Sequence, residues 1–142
     1  MGNMQNAQTA VRLRDWARGS LPMGAGVELL LRAFEGRFAS PSSPWIVGDP
    51  GGRVWVDPDA LRDGTGALSG GERRVLLLVA ALLDETPVDV VAVITGVDRA
   101  NVHLALAARA HAAGSQEHTD LVVGPDGIGL LTRPGPLVAW PT

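Results

Sequence analysis

The chain has no cysteine, no lysine and no tyrosine among its 142 residues. Without cysteine there is no disulfide framework, no thiolate metal site and no cysteine nucleophile. A zinc site would have to be built from three histidines and from carboxylates. Without lysine there is no phosphate loop of the form GxxxxGK[ST]. The longest apolar run, Val75 to Leu83, is nine residues, against about 18 for a membrane span, so no membrane partner is expected. The opening stretch MGNMQNAQTAVRLRD lacks a charged segment followed by an apolar one. No secretory signal is read there, and the cytoplasm is the expected compartment.

What is present fits one ordinary domain over residues 1–142. Apolar residues make up 46% and charged residues 19%, near globular averages, and a chain of this length buries about two thirds of its unfolded surface. All twelve basic residues are arginine. With abundant Ala, Gly, Val and Leu, this reads as the codon bias of a GC-rich, bacterial genome. The arginines are scattered and the formal net charge is −3, which disfavours nucleic acid as a partner, because phosphate backbones are held by clustered positive charge.

Residues 1–8 read as a disordered or tag-like lead. Helical spacing of Ala10, Leu13, Trp16 and Ala17 predicts a first helix that starts at Gln8 or Thr9 and stops at Gly19 and Pro22. A second helix is predicted over residues 23–39, from the repeat of Val27, Leu30, Leu31, Phe34 and Phe38. After the SPSSP loop, WIVGDPGGRVWVD predicts a β-hairpin across Gly48 to Gly52, with one helical turn near Pro58 to Arg62. Ser69 and Glu72 form an S-x-x-E capping box, so a largely buried helix is expected from Gly70 to Asp84. Thr86-Pro87 would start a short apolar helix ending at Gly96, although its β-branched content also suits a strand. Asp98 would cap a further helix that closes at Gly114. Gly124 to Gly127 would turn a second hairpin, and residues 134–142 would run extended, anchored by Leu137 and Trp140. The expected fold is therefore α+β: a bundle of about four to five helices, with two β-hairpins forming a small antiparallel sheet.

The stretch Leu68-Ser69-Gly70-Gly71-Glu72 resembles the LSGGQ signature of the ATP-binding-cassette ATPases. In that family the signature opens a helix that faces the nucleotide γ-phosphate. Thr95 to Asp98 is similar to the family's D-loop. The resemblance covers about a third of the chain, from Gly66 to Gly114, and implies a nucleotide contact at Ser69. Two departures bear on activity: Val93-Ile94 stands near where the family has its magnesium-holding Asp-Glu pair, and the phosphate loop is missing. Such a fragment cannot run the family's hydrolysis cycle. A simpler anion site remains, made by Ser69, the amides of Gly70 and Gly71, and Arg73 and Arg74 in the first turn.

Catalytic constellations are not found. His103 and His111 lie about 80° apart around one helix and do not share the i, i+4 spacing of a metal pair. Ser115, His118 and Asp120 have the residue types of a triad without its elbow motif. Asp49, Asp57, Asp59 and Asp63 sit beside Pro or Gly as turn and cap residues. No metal and no cofactor are expected. The tryptophans carry most of the aromatic surface, and strand alternation that points Val54 and Val56 inward sends Trp55 outward. The expected function is a non-enzymatic interaction module, an adaptor, inhibitor, immunity or assembly protein, binding an unidentified protein partner through Trp45, Arg53 and Trp55. A nucleotide- or phosphate-binding accessory protein using the helix start at Ser69 is the alternative, and a nucleic-acid-binding regulator the second. The composition is also compatible with a homo-oligomer.

Overall fold

Helix α2 (Leu21–Arg32) is the element around which the others gather, in a computed structural model that describes residues 2–142. Ser20 caps it by accepting from the Met23 amide, Pro22 sits in its first turn, and Ala25, Val27, Leu29 and Leu30 are buried. Helix α4 (Gly70–Asp84) and helix α6 (Arg99–Ala112) pack on it. Helix α1 (Gly2–Ala17) lies across α2 and buries Leu13 and Ala17. Among the described residues there are six α-helices and two antiparallel two-stranded sheets, the α+β arrangement of helices and hairpins expected. None of these helices is long and apolar enough to cross a membrane.

The hairpins do not join. Strands β1 (Ile46–Gly48) and β2 (Val54–Val56) pair with Val47 opposite Trp55, whereas β3 (Asp120–Val123) and β4 (Gly129–Thr132) form a separate ribbon with Leu121 opposite Leu131. Between them lie the short helix α3 (Pro58–Asp63), capped by Asp57, then α4, the short helix α5 (Val90–Ile94) and α6. Asp89 caps α5; Thr86, expected as the cap, instead bonds to Arg62 and Asp84.

Three further expectations change. Residues 2–8, expected to be unstructured, are helical and extend α1 toward solvent with every side chain exposed; Met1 lies outside the described residues. Met4, Gln5, Ala7 and Gln8 favour helix but form no apolar stripe, and Gly2, Asn3 and Asn6 weaken the signal further, so the readable period starts only at Thr9. The second helix stops at Arg32 rather than reaching Ala39. Phe34, Glu35 and Gly36 are left-handed, with φ of 52°, 60° and 75°, and the chain re-enters the core as a 3-10 segment ending at Ala39. The break folds Phe38 under Phe34, their rings edge-on at 5.6 Å, so the apolar spacing survives without a continuous helix. In the tail, Trp140 is anchored by the Arg32 guanidinium, 5.1 Å above its ring, and by His111, but Leu137 is exposed.

Arg62 joins α3 to the end of α4 with a two-point bond to Asp84, at 2.6 and 2.8 Å, and a third to Thr86 Oγ1 at 2.6 Å. Hydrogen bonding from Arg62, aided by Thr86 and opposed by desolvation, holds the Asp84 carboxyl at about 2, against its ordinary 3.8. A depressed carboxylate stabilises the fold above its unfolded value, and that contribution is lost as pH falls through the folded one. Asp84 is partly open to solvent, so the contribution is about 1 kcal/mol after screening. Denaturant unfolding should show wild type ahead of Asp84→Asn by that amount at neutral pH, with the gap closing between about pH 4 and pH 2. A gap unchanged at pH 2 would contradict this role.

Candidate functional site

Helix α1 and the first hairpin flank a cleft of about 480 Å³ whose lining includes Arg12, Asp15, Trp16, Asp49, Arg53 and Trp55. Arg12 and Trp16 are four residues apart, so they share one face of α1, the face toward β2. Trp16 is half-buried against the core, whereas Trp55, on the face of β2 opposite the buried Val56, is half-buried but outside the core cluster. The turn between the strands places the charges. Asp49 Oδ1 accepts from the Arg53 amide at 2.9 Å and Oδ2 from its guanidinium at 3.0 Å. Gly52 has a φ of +86°, and the Arg12 guanidinium carbon is 3.9 Å from where its Cβ would be.

The cleft's electrostatics are lopsided. The Arg53 amide, against desolvation and with help from the Arg53 guanidinium, holds Asp49 below the usual carboxylate range, so this pair stays charged and mutually neutralised. Asp15 is taken by Arg18 at 2.5 Å. Among the described residues Arg12 has no ion-pair partner, which leaves one uncompensated positive charge beside two indoles.

Of the expected partner-binding residues, Arg53 and Trp55 meet in this cleft and Trp45 does not. Trp45 is 5% exposed and spends its indole N–H on the Phe38 carbonyl at 2.7 Å. It is a core residue, because it precedes β1 and so escapes the strand alternation that turned Trp55 outward. Arg12 and Trp16 were missed: the periodicity of α1 marks its core face but not which hairpin lies beside it.

At the signature-like stretch the capping box is complete. Ser69 Oγ accepts from the Glu72 amide at 3.3 Å, and Glu72 Oε1 accepts from the Ser69 amide at 3.1 Å. Arg37 pairs with the same carboxylate. The Glu72 carboxylate is thus held by the Ser69 amide and by Arg37 at the start of α4. Arg74 lies against Gly70 and Gly96, and Arg73 points to solvent. Residues 90–94, which end where the resembled family has its magnesium-holding Asp-Glu pair and whose β-branched content also suits a strand, are helical. Among the described residues, six of the twelve arginines are in ion pairs, so half of the positive charge meets carboxylates before it could meet phosphates. His118 bonds to Asp120 at 2.9 Å on the surface, and among the described residues no three metal-ligating side chains converge. No protein-family model matches this chain, and neither a curated protein nor a solved structure matches it.

Proposed function

We propose that the chain is a non-enzymatic interaction module that takes a segment of a protein partner into the cleft between α1 and the first hairpin. The observation that supports it is the pairing of Trp16 and Trp55 with the unpartnered Arg12 in one concavity. Trp and Arg are the residues most enriched where binding energy concentrates. An indole that contributes nothing to the core has no evident structural reason to be large. The segment it suits has a bulky apolar side chain next to a carboxylate: the first fills the space between the indoles, and the second reaches Arg12.

Short labelled peptides carrying Leu or Phe beside Asp or Glu, and matched peptides with Lys in place of the acid, form the test. The acidic set should bind with a change in tryptophan fluorescence. Trp55→Ala should weaken that binding by roughly thirtyfold, the effect of losing a hot-spot residue, with the melting temperature unchanged. Arg12→Glu should reverse the charge preference. Failure of every acidic peptide to bind, or equal binding by Trp55→Ala, would sink the proposal.

A further inference from the structure

The ribbon β3–β4 is exposed along its whole length and on both faces. Leu121, Val123 and Leu131 lie on one face and Val122 and Leu130 on the other, with Leu121 67% and Leu131 77% open to solvent. Apolar residues on both faces are the pattern of strands covered on both sides, and a lone two-stranded hairpin is marginal in water. The ribbon cannot be treated as a frayed end, because both of its ends are fastened. It leaves the body at the turn Ser115–Glu117, and on its return the Leu137 amide donates to Ser115 Oγ at 3.2 Å while Arg32 donates to the Pro141 carbonyl at 3.1 Å. The segment between these anchors projects as an arm.

Elsewhere the same chain leaves an apolar groove of about 390 Å³ unfilled between α4, α5 and α6, with Leu78, Leu82, Val90, Ile94 and Leu106 among its lining residues. Val90, Ile94 and Leu106 are exposed there. From Leu121 to Leu131 the arm has one charge, Asp126 at its tip, and the groove has one, Arg109 at its edge. The two surfaces match in polarity and carry opposite charges.

We infer that the occupant is a second copy of this chain: the arm of each protomer lies in the α4–α5–α6 groove of the other, about a twofold axis. One chain carries both halves of the contact, so a reciprocal exchange covers both at once, whereas an unrelated partner on the arm would leave the groove open. The exposed side chains of arm and groove amount to roughly 310–620 Å² per copy, taking 60–120 Å² for each fully exposed aliphatic side chain. That approaches the ~800 Å² per partner of a stable interface before main chain and polar rim are added. The groove and the cleft share no lining residue, so this inference stands apart from the peptide-binding reading.

Sedimentation velocity over a concentration series tests it, with the intact chain, Leu131→Glu in the arm and Leu106→Glu in the groove. The intact chain is expected at twice its 14.8 kDa mass. Each variant should sediment as a folded monomer, its dissociation constant raised by at least about a hundredfold, because the contact would bury an unpaired carboxylate. Both positions are exposed, so far-ultraviolet circular dichroism should be unchanged. Mixing Leu131→Glu with Leu106→Arg should restore a dimer containing one of each. An intact chain that stays monomeric at several hundred micromolar would overturn the inference and leave the cleft untouched. A dimer that survives either variant would overturn it too, by placing the interface elsewhere or pairing the arms edge to edge.

Discussion

Trp45→Ala is expected to lower stability by about 3–5 kcal/mol, the range for losing a buried tryptophan, and the melting temperature by roughly 10–15 °C for a chain near this length. Two side-chain contacts account for the size: the indole N–H donates to the Phe38 carbonyl, and the ring meets the Phe38 ring at 6.2 Å. The Trp45 main-chain carbonyl, which accepts from the Asp57 amide at 2.9 Å, is kept in the variant. Trp45 therefore ties the 3-10 segment after α2 to the first hairpin and the start of α3. The ring also rests on Gly64, where a Cβ would be 2.7 Å from Cζ3 and 3.0 Å from Cε3. Gly64 has a φ of −79°, so alanine there meets no unfavourable φ; it meets the ring first and then the Ala60 carbonyl oxygen, at 3.2 Å. Gly64→Ala should cost about 2 kcal/mol by overpacking, and much less in a Trp45→Leu background. Denaturant melts of the two single variants and the double variant measure this coupling; additive losses would show that the ring is not the obstacle.

Gly26→Val should be about as damaging, at roughly 3 kcal/mol. Gly26 is buried where α2 crosses α4, and a Cβ there would be 3.1 Å from Leu83 Cδ2 and 3.2 Å from Leu82 Cβ. A single methyl is tight but gains helix propensity of about 1 kcal/mol over glycine, so Gly26→Ala should sit near neutral. Valine adds branches that only separation of the helices can accommodate. Calorimetry of the pair checks this: similar melting temperatures for Gly26→Ala and Gly26→Val would mean that the crossing is looser than these distances indicate.

The elements read correctly from the sequence are those whose signals are local. Ser69 and Glu72 define the start of α4, and Asp98 the start of α6, because a cap acts on amides two or three residues away. Gly124 to Gly127 likewise locates the turn of the second ribbon. The misreadings occur where distant residues decide. The left-handed break at Phe34 to Gly36 follows from the return of Phe38 to Trp45, a contact that apolar periodicity cannot distinguish from another helical turn. The same holds for Trp45 and Trp55: two tryptophans flank one hairpin, and Trp45 is core because Phe38 and Gly64, both outside the hairpin, pack on its ring. The cleft was half legible, since Arg53 and Trp55 belong to the hairpin itself, while Arg12 and Trp16 reach it through the packing of α1. The ribbon carried its own sign in the runs Leu121 to Val123 and Ile128 to Leu131, which lack the alternation of a one-sided strand.

Because Asp120 and Thr132 face each other across the base of the ribbon, the arm enters and leaves the body at nearly one point. Such a segment can be shortened, exchanged or lost while the flanking chain still closes over the gap, and none of the buried residues lies within it. Changes there are filtered by what the arm touches and changes elsewhere by whether the helices still pack. The two parts of this sequence are thus free to drift at different rates, with the ribbon as the place where related chains would diverge first.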